Sequence, residues 1–116
     1  MDVEPVYYFN TIQGDVKRVA LQTLEHVLKD KTYHPVDAPA WVHDITYGCL
    51  QSLKGLADGA AGFKFLVNCT IVQKKNGGFH TNTSCFWNPE TDGHVVVRYE
   101  SASLVALCSV YAISLL

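Results

Sequence analysis

The chain has 116 residues, 48% of them hydrophobic, and a formal net charge of −2. That is one domain's length with enough apolar material for a core, although so small a domain stays marginal and would gain from association. The charge argues against a nucleic-acid binder, which would carry a basic patch. The apolar run 104–116, broken by Ser109 and Ser114, is too short for a bilayer span, so no membrane insertion is expected.

Residues 1–14 read as a loose amino-terminal segment whose Tyr7, Tyr8, Phe9 and Ile12 can dock on a core. Asp15 is a candidate helix N-cap. After it Val16, Val19, Ala20, Leu24, Val27 and Leu28 recur at helical spacing and give one apolar face. The pattern stops at Asp30-Lys31-Thr32. Pro35 and Pro39 stiffen the linker that follows, and Pro39 suits the first turn of a second helix, where its missing N–H does no harm. Trp41, Ile45, Cys49, Leu53 and Leu56 form that helix's apolar stripe, with Val42 and Leu50 beside it. A glycine-rich stretch, 57–62, is expected to end it.

Four β segments are predicted next. Phe63, Phe65, Val67, Cys69 and Ile71 alternate with polar neighbours, the mark of a half-buried strand. Residues 74–78 form a turn or connection, in which Asn76-Gly77 is a strong hairpin signal. The second strand is the run Phe79, His80, Thr81, Asn82, Thr83, Ser84, Cys85, Phe86, Trp87. Its middle is polar on both faces, so it has little reason to be buried in its own subunit. Unpaired strand N–H and C=O groups are instead a template for another chain. After the loop 88–93, Val95, Val97 and Tyr99 alternate with His94, Val96, Arg98 and Glu100 in a third strand. The fourth, 104–114, is apolar on both faces near its middle and so is expected at the sheet centre. Helices first and strands after give an α+β domain: two amino-terminal helices packed on a four-stranded antiparallel sheet.

Cys49, Cys69, Cys85 and Cys108 are widely spaced, with no C-x-x-C pair, which weakens a zinc site. The acidic start, without an apolar signal region, favours reduced thiols and a cytosolic location. His80, Cys85 and Asp92 invite a thiol-enzyme reading. However, the odd separation of His80 and Cys85 puts them on opposite faces of one strand. His34, His43, His80 and His94 lack metal-ligand spacing and read as surface residues. Thr91-Asp92-Gly93 reads as turn chemistry, with Gly93 supplying positive φ. Arg98 and Glu100 share a strand face, where an exposed ion pair contributes little. Neither enzyme activity nor a cofactor is expected.

From residue 41 to 114 the chain resembles the Tctex-type dynein light chains. The resemblance rests on Trp41, Phe63-Lys64-Phe65, Cys69-Thr70-Ile71-Val72-Gln73-Lys74, Ser84-Cys85-Phe86-Trp87, Thr91-Asp92-Gly93 and Val97-Arg98-Tyr99-Glu100, in that order. Tyr99 stands where many members have Trp. The resemblance implies a homodimer, or a dimer with a paralogous light chain, in which the second strand crosses to the other subunit. Residues 74–78 would then be a crossover rather than a hairpin. It also implies that a dynein intermediate-chain segment binds by strand addition beside the exchanged strand, with cargo proteins as further partners. A cytoplasmic, cytoskeleton-associated or ciliary location follows from it. A dynein-independent adaptor hub for cargo or signalling peptides is the alternative.

Overall fold

The computed structural model describes residues 7–56, 62–75 and 79–115. A short 3-10 turn (Phe9–Thr11) leads into helix α1 (Gln13–Leu28), followed by α2 (Ala38–Lys54) and strands β1 (Phe63–Gln73), β2 (Gly93–Glu100) and β3 (Leu104–Ser114). The strands form one antiparallel sheet in the order β1-β3-β2. β3 is central, as its apolar content on both faces predicts. Cys69 stands opposite Cys108, and Val97 lies opposite the same residue from the other side.

The helices cover one face of this sheet. Val16, Leu24 and Leu28 of α1 and Ile45, Cys49 and Leu53 of α2 are fully buried against Leu104, Cys108 and Val110 of β3. Each such aliphatic side chain contributes roughly 1.5–3 kcal/mol through removal from water. Both helical stripes were legible in the sequence because core-facing residues must recur every three to four positions.

Three local expectations are corrected. Asp15 is not the N-cap: α1 begins two residues earlier, with Ile12 at the cap. The preceding 3-10 turn feeds straight into the helix, since Ile12 N–H donates to the Phe9 carbonyl and Val16 N–H to the Ile12 carbonyl. Asp15 instead lies in the first turn, where a carboxylate opposes the positive end of the helix dipole, 3.3 Å from Arg18. Residues 9–12 are docked rather than loose. Phe9 and Ile12 are buried, and Phe9 N–H donates to the Thr91 carbonyl at 3.0 Å. Gly93, for its part, does not have positive φ. It is required because the Phe9 ring lies where a Cβ would stand.

α1 ends as the polar stop predicts. Lys29 N–H donates to the Glu25 carbonyl, and Asp30 takes the left-handed conformation at φ 59°, which Asp tolerates better than most residues. Pro39 sits in the first turn of α2. α2 ends at Lys54 with Gly55 at its cap, whose N–H donates to the Ser52 carbonyl, so the stop comes ahead of the stretch 57–62 expected to supply it and Leu56 lies past the helix. Residues 57–61, like 76–78 of the expected connection, lie outside the described residues. The predicted second strand is not part of the sheet: among the described residues three strands are present, and 79–87 lies in none of them. A strand is defined by its ladder, and among the described residues no neighbour supplies one.

Candidate functional site

The segment 79–87 is the least engaged part of the described chain. Phe79, His80, Thr81, Asn82, Thr83, Ser84, Cys85 and Phe86 are all exposed, and Trp87 is half-buried. Phe86 is 108% exposed, so its ring touches almost nothing. Among the described residues no backbone hydrogen bond joins these nine to the rest of the chain. Two side-chain contacts tether them instead. The Tyr111 hydroxyl donates to Thr83 Oγ1 at 3.3 Å, and the Trp87 ring meets the Tyr111 ring edge-on at 6.5 Å.

Both contacts end on the sheet face that the helices leave uncovered. Alternation along each strand sends Leu66, Val96 and Ile113 to this side, each about half exposed. Val105, Leu107 and Tyr111 of β3 join them. A cleft of about 210 Å³ runs between this face and the segment, lined by Asn68, Thr70, His94 and Tyr111 on the sheet and by Thr81 and Thr83 above it. Exposed aliphatics on a sheet face, with an aromatic standing free nearby, mark a surface suited to a protein partner. The sheet also has two open margins, because β1 and β2 each pair only with β3 among the described residues.

The loop that returns the chain from the segment to β2 is held by Asp92. Its Oδ1 accepts the Ser114 N–H at 2.7 Å and its Oδ2 the Asn88 N–H at 3.0 Å. Asn88 Oδ1 accepts the Glu90 N–H, a local turn bond open to Asn and Asp. Asp92 is thus more than turn chemistry: it fastens the exit of the segment to the end of β3. At the opposite end of the sheet, Glu100 meets Lys74 at 2.6 Å and Arg98 at 3.1 Å. The Lys74 ammonium, then Arg98, holds its carboxyl below the usual carboxylate range. The group is fully exposed, and the arrangement is a solvated charge cluster.

The thiols divide by environment. Cys85 is exposed, while Cys49 and Cys108 are buried and hydrogen-bonded to each other, with Cys69 half-buried alongside. The bond with Cys49, then burial, pushes the Cys108 thiol up, and burial pushes Cys69 up to about 12. Such thiols stay protonated near neutrality and pack as small apolar groups. Among the described residues no group of three or more His, Cys, Asp or Glu could hold a metal ion. No helix of those residues is long and apolar enough to cross a membrane.

Sequence reasoning missed His94 and Tyr111. They stand opposite each other in the β2–β3 register and stack, ring centroids 4.5 Å apart and planes within 11°. His94 is half-buried rather than a surface residue, and its Nε2 is buried. The available signal was the alternation itself, which sends His94 away from the helices while Val95 and Val97 face them.

The model of the Tctex-1 family matches residues 10–113, which extends the resemblance over the first helix as well. Human "Dynein light chain Tctex-type 3" is 31% identical over 101 residues, covering 87% of this chain and 84% of its own length. "Dynein light chain Tctex-type" of Drosophila melanogaster is 28% identical over 103 residues, with 89% and 90% covered. Its namesake in Dictyostelium discoideum is 30% identical over 97 residues, with 84% and 86% covered. Two helices on an antiparallel sheet, the polar segment before Trp87 and a match from the 3-10 turn to the end of β3 converge on one assignment: the chain belongs to the Tctex-1 family.

Proposed function

We propose that this protein is a non-catalytic light chain of a dynein motor that dimerises by exchanging residues 79–87 and binds an extended segment of the dynein intermediate chain by strand addition. The observation that carries this reading is the segment's lack of a backbone partner among the described residues, next to a sheet whose margins are open among those residues. The names of the family relatives support the motor assignment. In the proposed dimer, the segment of one subunit lies along the free edge of β2 in the other, and its own outer edge is left for the intermediate chain. Cargo proteins, or a paralogous light chain in place of the second copy, would use the same edges.

Each added main-chain hydrogen bond contributes on the order of 1 kcal/mol net, so one short peptide binds weakly. A dimer offers two equivalent edges, and two peptides joined on one partner gain from effective concentration. Alignment of larger subunits follows without any chemistry on the light chain.

Light scattering of the purified protein, with and without an intermediate-chain peptide, tests the proposal. The expected result is a dimer whose mass rises on peptide addition. A stable monomer indifferent to the peptide overturns the reading. A dimer that captures other peptides but leaves the intermediate chain in a pull-down would replace the motor role with a free adaptor.

A further inference from the structure

The His94 imidazole presents a buried polar atom that no described residue answers. Its ring is packed flat on Tyr111, and Nε2 has no hydrogen-bond partner among the described residues. Buried nitrogen is nearly always paired in folded proteins, and leaving one unpaired is costly. The atom lies at the cleft lined by Thr81, Asn82 and Thr83, yet none of these reaches it. Stacking on Tyr111 fixes the ring, so the missing partner must come to it.

We propose that His94 is a specificity determinant of the dimer, its Nε2 hydrogen-bonded by a side chain from residues 81–84 of a second copy of this chain. The inference rests on the strand-exchange reading above and names the contact that selects the exchanged strand. β2 has Tyr111 of β3 on one side of His94 and an open edge on the other. A strand paired to that edge places one side chain directly opposite His94 on the same face, with Cβ atoms about 4.5–5.5 Å apart. The composition of 81–84 then matters. If even positions face outward, the neighbours are Asn82 and Ser84; if odd, Thr81 and Thr83. Either choice presents a hydroxyl or an amide, so the second copy answers Nε2 in both registers of facing. A strand with an aliphatic residue there would seal the nitrogen without a partner and be disfavoured. The second copy is therefore the occupant this face fits, and its polar middle, unsuited to a core, is suited to this position.

The test compares dimer dissociation constants of the full chain, without peptide, for the parent, His94→Phe and His94→Gln. His94→Phe keeps a flat ring on Tyr111 and removes the nitrogen; it is expected to weaken the dimer about tenfold. His94→Gln, which restores hydrogen-bonding capacity, is expected to recover part of that loss. A His94→Phe dimer as tight as the parent, or tighter, overturns the inference while the dimer itself stands. A parent that never dimerises overturns the strand-exchange reading instead. Nitrogen NMR of the parent keeps the question decidable should a variant fail to fold. The His94 Nε2 resonance should move between dilute monomer and concentrated dimer, and an unmoved resonance counts against the contact.

Discussion

Strand β3 and the segment 79–87 are of similar length and obey opposite rules. β3 is paired with β1 over its whole span and with β2 over residues 105–112, and it buries Leu104, Ala106, Cys108, Val110 and Ala112 beneath the helices. The segment pairs on neither edge among the described residues and buries nothing fully. The ladders of β3 are filled within one subunit, whereas among the described residues the segment has none. A strand whose partners are internal must be apolar where it faces the core. Under the proposed exchange the segment's partner comes from outside, so the stretch must stay tolerable in water until the partner arrives; Thr, Asn and Ser meet that condition, and Phe86 and Trp87 would be its anchors.

Substitutions should separate the two regions, and the largest effect is expected in the core. Leu24→Ala empties a fully buried site on α1 and should cost about 2–5 kcal/mol in chemical denaturation. Phe86→Ala, also a large apolar truncation, should leave monomer stability within about 0.5 kcal/mol. It should weaken association in sedimentation equilibrium, and a large stability loss there would mean that the ring is part of a single-subunit core.

Asp92 joins the two regions, so its removal should fall between those extremes. Asp92→Ala deprives the Ser114 and Asn88 N–H groups of their acceptors, and hydrogen bonds to a charged group contribute about 1.5–3 kcal/mol each before solvent screening. A loss of about 1–3 kcal/mol is expected in thermal or urea unfolding, with Asp92→Asn milder because one acceptor remains.

Alkaline pH should loosen the core. The folded state holds Cys69 up to about 12 against an ordinary thiol value of 9.0. The unfolded chain therefore releases this proton first, and stability falls as pH rises from about 9 towards 12, being fully present below that window. Denaturation midpoints at pH 8 and pH 10.5 check the sign, and Cys69→Val should flatten the slope. Glu100→Gln is the smallest expected effect, a denaturation midpoint close to the parent's, because exposed ion pairs contribute little.

The sequence by itself determined the two helices, the alternation of β1 and β2, and the central place of β3. Each of these is a periodicity imposed by one buried face, and periodicity survives in a linear string. It also marked 79–87 as a stretch unfit for its own core, and its motif order pointed to the family. Only the tertiary structure decided that Gly93 serves the Phe9 ring rather than a turn angle, that Asp92 ties the loop to the end of β3, and that His94 is stacked on Tyr111 with one nitrogen unanswered. Those three depend on groups brought together across 22, 17 and 84 positions of chain (Asp92 to Ser114, His94 to Tyr111, Phe9 to Gly93). Contacts of that span leave no period in the sequence, because what fixes them is the packing of whole elements and not the spacing of neighbours.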